Sequence, residues 1–243
     1  MLRSSAAKFR IAVLHSAWTA LAVIAGSSIL LAIFVTPLIY LWSDGRDFFS
    51  SSLGTLVLYA LQYVFALFVV LTVPFIQLAG NWRLLVARLG FVRNPKFLDI
   101  FRALVAWALY FGTTFVVLAF IQALFPDANL NEQQNVGFSD IAQPYEYLLA
   151  FIALVVLPPL AEESIFRGYL FGRLRSSMGF WPSAIMTSFT FGLVHMQLNV
   201  GIDVFVLSLF LSYLREKTGS IWASVFLHMM KNGVAYVFLF VLK

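Results

Sequence analysis

The chain has 243 residues, of which 61% are hydrophobic and 11% are charged, and its mean hydropathy is +0.90. Soluble domains are far less apolar, so the composition predicts an integral membrane protein. The chain contains no cysteine, which excludes disulfides, a thiol nucleophile, a cysteine-ligated metal and lipidation of its own thiols. Its net charge of +5 fits Lys and Arg beside anionic lipid and gives no reason to expect a nucleic-acid partner.

Apolar runs of about 20 residues, the length that crosses a bilayer as a helix, recur along the chain. No alternating pattern suggests a β-barrel. The first apolar run is too long for a signal peptide and is interpreted as a spanning helix. The sequence therefore predicts an all-α, polytopic transmembrane helical bundle of about seven spans, within residues 11–42, 53–78, 103–125, 147–173, 180–199, 202–214 and from 221 onward.

Charge patterning predicts the orientation of these spans. Basic residues concentrate in residues 83–102, at Arg173 and Arg175, and in the segment "REKTGS" from residue 215, whereas residues 127–146 carry acidic residues and no Lys or Arg. Because cytoplasmic loops are enriched in Lys and Arg, we expect the basic connections and the N-terminus in the cytoplasm. The acidic segment is then expected outside.

Two adjacent carboxylates interrupt the apolar pattern in the stretch "PPLAEESIFRGYLFGRLR". Glu163 precedes Arg167 by four residues, the favourable order for an ion pair on one helical face, so we predict a structural pair. Glu162 points about 100° away and has no basic residue four positions before or after it. An intramembrane carboxylate costs roughly 2.5–3.5 kcal/mol even on insertion scales, so Glu162 is a candidate functional residue.

Two histidines lie in the following apolar regions, each with an asparagine four residues later: His195 with Asn199, and His228 with Asn232. Taken alone, each histidine is more often a core residue bonded to a neighbouring helix. Together with a glutamate, however, a neutral imidazole forms a general-base arrangement for activating water. A second histidine with an amide supplies hydrogen-bond donors for an oxyanion.

The three motifs Glu-Glu-x-x-x-Arg, Phe-x-x-x-His and His-x-x-x-Asn, in this order, resemble the CAAX protease and bacteriocin-processing family of intramembrane endopeptidases. The resemblance runs from about Tyr147 to Gly233. It implies that Glu162 and His195 activate water, and that His228 and Asn232 stabilise the oxyanion. The expected division of the chain is residues 1–146 as a variable region of three spans and residues 147–243 as a catalytic core of four spans.

The same resemblance implies a lipidated or membrane-anchored peptide or protein as substrate, cleaved in a cavity expected to face the cytoplasm. It leaves a glutamate and a metallo mechanism open. Glu162, His195 and His228 have the donor types of a two-histidine, one-carboxylate zinc site, although the His-Glu-x-x-His motif of many zinc peptidases is absent.

Two other classes remain open at the level of sequence. A proton- or ion-coupled transporter also carries buried Glu, Arg, His and Asn, but it typically has internal repeats with paired broken helices. We find one interrupted span, at Pro158 and Pro159, without a matching partner. A non-catalytic immunity or scaffold protein of the same fold is the second alternative.

Helix geometry raises one difficulty for a shared site. At about 1.5 Å per residue, Glu162 lies about 16 Å from Arg173, and His228 lies about 12 Å from Ser220. His195 lies about 22 Å from Phe180 on the same scale. These depths differ, so the fifth span must tilt or begin outside the bilayer if the side chains are to meet.

Overall fold

The computed structural model describes residues 5–242 apart from residues 43, 131, 133–135 and 139–140. Within that part of the chain the secondary structure is helical and contains no strand, which confirms the predicted all-α class. We number the helices in chain order: α1 Ser5–Leu30, continued by the π-helical Leu31–Val35 and by Thr36–Leu41; α2 Gly45–Ser50; α3 Ser52–Gln77; α4 Trp82–Arg88; α5 Phe97–Leu124; α6 Pro144–Arg175; α7 Phe180–Leu193; α8 Leu198–Thr218; and α9 Trp222–Val241.

Among the described residues, five helices are long and apolar enough to cross a membrane, namely α3, α5, α6, α8 and α9. The predicted fifth span is shorter than expected, because α7 has only 14 residues. At about 1.5 Å per residue α7 covers about 21 Å, less than the hydrocarbon thickness of about 30 Å. In α1 the apolar segments Phe9–Ile24 and Ala32–Leu41 are also too short to count among the five.

The spans expected at residues 180–199 and 202–214 require a turn near residues 199–201, and this prediction is wrong, because α8 runs without interruption from Leu198 to Thr218. The chain turns a few residues earlier, in the connection between Leu193 of α7 and Leu198 of α8, where Met196 has a φ of 55°. The Asn199 side chain instead donates hydrogen bonds to the backbone carbonyls of Leu130 and Glu132, in the connection between α5 and α6. Asn199 therefore joins α8 to the connection between α5 and α6 and does not form a turn.

Helix α6 passes through Pro158 and Pro159 without breaking. A proline removes a backbone donor and clashes with the carbonyl four residues earlier. The π-helical segment Ile152–Val156 directly precedes this point and widens the turn that must accept the proline rings. A second π-helical segment, Ser164–Leu170, follows the two glutamates. Irregular turns thus flank the polar centre of α6 on both sides.

The N-terminal and C-terminal parts of the chain share one core. Ala66 of α3 belongs to the same buried cluster as Ile165 and Phe166 of α6, Phe191 of α7 and Val204 of α8. A second cluster joins α5 to α8 and α9. The first helices are therefore packed against the helices that carry the three motifs.

Hydrogen bonds between connections define two ends of the bundle. At the end that we call the basic end, the Trp222 indole donates to the carbonyl of Arg93, and Arg173 of α6 donates to the ring of His15 near the start of α1. At the opposite, acidic end, the Tyr59 hydroxyl of α3 donates to the carbonyl of Val136 in the connection 125–143. The beginning of α1 therefore lies at the basic end.

Gly168 of α6 packs against the backbone at the end of α4. A Cβ atom on Gly168 would lie 2.8 Å from the Leu89 carbonyl oxygen and 3.0 Å from the Leu89 Cα. A Cβ on Gly172, one turn later, would meet nothing within 4 Å. The Gly-x-x-x-Gly spacing thus marks close packing at only one of its two glycines.

We expect Gly168→Ala to lower the free energy of unfolding by about 1–3 kcal/mol, because backbone atoms would have to move. Gly172→Ala is the matched control and is expected to be neutral or slightly stabilising, since alanine favours a helix over glycine. Thermal unfolding of both variants in detergent tests this difference. Equal melting temperatures for the two variants would contradict the packing at Gly168.

Candidate active site

A cavity of about 650 Å³ lies in the middle of the bundle. Its walls come mainly from α3, α6, α8, α9 and the turn after α7, with single residues from α1 and from the connection 125–143. Its volume is typical of pockets that bind small ligands. All four residues predicted to act in catalysis line it: Glu162, His195, His228 and Asn232. The structure therefore brings residues from three separate motifs to a single cavity.

The Glu162 carboxylate is held from two sides. Its Oε1 atom accepts a hydrogen bond of 2.8 Å from the Tyr63 hydroxyl of α3. Its Oε2 atom lies 3.8 Å from Nε2 of His228 on α9. The side chain is 16% exposed, so this carboxylate is oriented by its neighbours and still reaches the cavity.

Glu163 occupies the packed side of the same helix and is fully buried. Its Oε1 atom lies 2.9 Å from Nη1 of Arg167 and also 2.9 Å from Nδ1 of His228. The Arg167 guanidinium in turn lies over the Phe191 ring, 4.5 Å from its centroid. The structure thus contains the ion pair expected between Glu163 and Arg167, and one oxygen of that pair also fixes a cavity histidine.

His195 lies in the turn after α7, not inside a helix. Its Nδ1 atom is 2.8 Å from the carbonyl oxygen of Phe191, so Nδ1 is the donor and Nε2 remains available as an acceptor. The helix ends at Leu193 and the chain then turns, so His195 lies less deep than 15 helical residues after Phe180 would place it. It lines the cavity. The difference in depth therefore does not keep this histidine from the site.

Asn232 lies one turn after His228 on α9 and faces α6. Its Nδ2 atom donates a hydrogen bond of 2.9 Å to the Leu154 carbonyl. That carbonyl lies in the π-helical segment before Pro158, where the regular helical bonding pattern is altered. One Asn232 amide hydrogen thus fixes the side chain, and the second remains for a ligand in the cavity.

Tyr63 was missed by motif reasoning, because it lies in α3, outside the three motifs. The sequence contains a signal for it: Gln62 and Tyr63 are adjacent polar residues in an otherwise apolar span, and both line the cavity. Lys231 and Asp203 were missed as well, although they are intramembrane charges in α9 and α8. Their side chains pair at 3.4 Å.

The described residues contain no group of three or more His, Cys, Asp or Glu side chains arranged to hold a metal ion. Within the suggested set of Glu162, His195 and His228, the Nδ1 atoms of both histidines are engaged by protein acceptors. The remaining His228 nitrogen is 3.8 Å from the nearest Glu162 oxygen. The described side chains are therefore not gathered into a metal-binding group, although zinc-bound histidines also donate Nδ1 to protein acceptors as these two do.

The cavity extends from Glu162 toward the acidic end of the bundle, where its walls include Tyr59, Val136 and Tyr236. Leu170 of α6 and Leu227 of α9, which lie nearer the basic end, are fully buried and do not line the cavity. The beginning of α1 lies at the basic end. The direction in which the cavity extends thus points away from the end where α1 begins, whereas the sequence led us to expect both on the cytoplasmic side.

Comparisons with known proteins match the part of the chain that carries the site. Residues 144–234 match the family described as type II CAAX prenyl endopeptidase Rce1-like. The chain is 31% identical over 84 residues to a Bacillus subtilis (strain 168) protein named "Putative membrane peptidase YdiL", and 30% identical over 106 residues to an Escherichia coli protein named "Uncharacterized 24.3 kDa protein".

These matches cover 35% and 42% of the chain, and only 34% and 48% of the two relatives. No solved structure matches the chain significantly. The resemblance predicted from the three motifs is confirmed over residues 144–234. Together with the apolar helices, this match identifies the chain as an integral membrane protein.

We expect Arg167→Ala to lower the free energy of unfolding by about 3–5 kcal/mol, because it leaves the buried Glu163 carboxylate without its cation. Arg175→Ala is the control: Arg175 pairs with Glu216 at 3.0 Å but is 42% exposed, so its loss should cost less than about 1 kcal/mol. Unfolding of both variants in detergent provides the measurement. Similar losses in the two variants would contradict a central structural role for the buried pair.

Proposed function

From the match of residues 144–234 to the type II CAAX prenyl endopeptidase family, we propose that the protein is an intramembrane endopeptidase. It hydrolyses a peptide bond near the membrane anchor of a lipidated or otherwise membrane-anchored peptide or protein. The observation that carries the proposal is the Glu162 carboxylate, oriented by Tyr63 and facing a cavity that also contains His195, His228 and Asn232.

In the proposed reaction, Glu162 and His195 activate a water molecule. The Tyr63 hydroxyl occupies Oε1 of Glu162, which leaves Oε2 to accept the proton from water. His195 donates through Nδ1 to the Phe191 carbonyl, so its Nε2 atom can accept a hydrogen bond from the same water. The water oxygen then attacks the carbonyl carbon of the substrate, and the proton held by Glu162 passes to the leaving amine.

The oxyanion formed by this attack needs donors that are already in place. Asn232 is fixed through one amide hydrogen on the Leu154 carbonyl and offers the other. His228 donates through Nδ1 to Glu163, and when both ring nitrogens carry protons, Nε2 donates into the cavity. Donors that are already fixed stabilise the developing charge without reorganisation.

Glu163 and Arg167 act as positioning residues in this mechanism. Their buried contacts hold the His228 ring between the two glutamates, because Nδ1 lies 2.9 Å from Glu163 and Nε2 lies 3.8 Å from Glu162. The ring is edge-on to Phe191, with centroids 5.9 Å apart, which limits its rotation. Residues on the packed side of α6 thus determine where His228 lies relative to Glu162 in the cavity.

We further propose that the basic end of the bundle lies in the cytoplasm and that the cavity is reached from the other face of the membrane. Arg88, Arg93, Arg173 and Arg175 lie at or near the basic end, and the connection 125–143 contains no Lys or Arg. The charge rule then assigns the acidic end, toward which the cavity extends, to the extracytoplasmic side. This proposal replaces the expected cytoplasmic opening.

Replacement of Glu162 by glutamine is expected to abolish cleavage of a membrane-anchored peptide, because the amide cannot accept the proton from water. Folding should be unaffected, since an amide can still accept the bond from Tyr63. Glu216→Gln, at a half-exposed carboxylate that does not line the cavity, serves as the control and should retain full activity. The readout is peptide cleavage by purified protein, run with and without a chelator, which we expect to have no effect.

Asn232→Ala is expected to lower kcat about a hundredfold, equivalent to about 3 kcal/mol, with KM nearly unchanged. An oxyanion donor stabilises charge that appears only in the transition state, so its loss affects turnover rather than binding. Asn129→Ala, at an exposed position of the connection 125–143, is the control. A rise in KM with constant kcat would instead assign Asn232 to binding of the ground state, as in a transporter.

The orientation can be measured by cysteine labelling, because the natural chain has no cysteine. Single cysteines are introduced at Asn129 in the connection 125–143, at Gln62 in the cavity wall and at Ser176 at the basic end. In intact cells a membrane-impermeant maleimide should label the first two positions. Ser176→Cys should react only after permeabilisation. Labelling of Gln62→Cys under the same conditions as Ser176→Cys would contradict the proposed access.

A further inference from the structure

Lys231 provides the only Lys or Arg side chain among the described residues that line the cavity. It lies three residues after His228 on α9, so both side chains belong to the same face of the helix. It directly precedes Asn232 in the chain. A single cation is thus placed beside the groups proposed to bind the reacting carbonyl, although the proposed hydrolysis does not use it.

The Lys231 ammonium is tethered from outside the cavity. Its Nζ atom lies 3.4 Å from Oδ2 of Asp203 on α8, and Oδ1 of Asp203 accepts a hydrogen bond from the Tyr110 hydroxyl of α5. Neither Asp203 nor Tyr110 lines the cavity. Asp203 thus compensates the positive charge of Lys231 from a position outside the cavity. The same contact holds the long lysine side chain at the cavity wall.

The contact with Asp203 leaves hydrogen-bond donors of the Lys231 ammonium group available for a ligand. An ammonium has three hydrogen-bond donors, and strong charge-assisted bonds to a carboxylate are about 2.7–2.9 Å long, shorter than the 3.4 Å contact with Asp203. The Lys231 side chain is 22% exposed, whereas Arg167 of the structural ion pair is fully buried. Two charged pairs in one bundle therefore differ: one is fully buried, and the other contains a partly exposed lysine that lines the cavity.

We propose that Lys231 forms an anion subsite that binds a carboxylate of the substrate within a few residues of the scissile bond. This inference rests on the proposed peptidase function and adds a substrate class to it. The other charged residue of the cavity, Glu162, is anionic and would repel a substrate carboxylate, so Lys231 supplies the compensating attraction. The carboxylate is either the C-terminal group of the peptide or the side chain of an Asp or Glu residue.

The test uses S-farnesylated peptides with three residues after the modified cysteine. One probe ends in a free carboxylate, a second is its C-terminal amide, and a third is an amide with a glutamate among the three residues. We expect the unmutated protein to have a KM about tenfold lower for one of the two carboxylate probes than for the plain amide. The preferred probe identifies the source of the carboxylate.

Lys231→Met should abolish this preference by raising KM for the carboxylate probe to that for the amide, with a much smaller effect on kcat. Lys231→Arg should keep the preference, because it keeps the charge. Lys217→Met, at a lysine that contacts Tyr213 away from the cavity, is the matched control and should behave as the unmutated protein. A preference that persists in Lys231→Met, or equal KM values for all probes in the unmutated protein, would overturn the proposal.

Binding of the same probes to the Glu162→Gln variant separates the anion subsite from the peptidase function. If no probe is cleaved by the unmutated protein, but Glu162→Gln binds the carboxylate probe more tightly than the amide and loses this difference when Lys231→Met is added, the subsite stands and the peptidase proposal fails. If the probes are cleaved but bind with equal affinity, the subsite proposal fails alone.

Discussion

The arrangement of the site depends on one buried oxygen atom. Oε1 of Glu163 lies 2.9 Å both from the Arg167 guanidinium and from the His228 ring, and all three side chains are buried. In a membrane interior an uncompensated carboxylate is costly, so the shared oxygen keeps its two partners together. Because Arg167 is on α6 and His228 is on α9, this contact fixes the position of one helix against the other at the depth of the cavity.

The adjacent residues Glu162 and Glu163 have different roles because they lie on different sides of α6. Glu163 faces the packed side and determines where His228 lies, whereas Glu162 faces the cavity and is held by Tyr63 from α3. Substitutions on the packed side are therefore expected to change folding and site geometry together. Substitutions at Glu162 change the chemistry with little effect on packing, because its side chain is only partly enclosed.

Much of this arrangement could be predicted from local sequence. The all-α class follows from the apolar runs, and the pairing of Glu163 with Arg167 follows from a four-residue spacing on a helix. The shared contact with His228 could not be predicted, since it joins residues 65 positions apart and depends on how α6 packs against α9. The depth of His195 could not be predicted for a related reason. From the sequence we assumed a continuous helix, whereas α7 ends at Leu193 and a turn follows.

The central claim, that water activated in this cavity cleaves a peptide bond, is tested most directly by a single turnover of a membrane-anchored peptide in water labelled with oxygen-18. Direct attack by water predicts one labelled oxygen in the new carboxyl group of the product and none in the protein. Label in the Glu162 side chain would show that the carboxylate attacks the substrate itself. Absence of any cleaved product, together with ion-dependent uptake into liposomes that requires Glu162, would contradict the hydrolase and indicate a transporter.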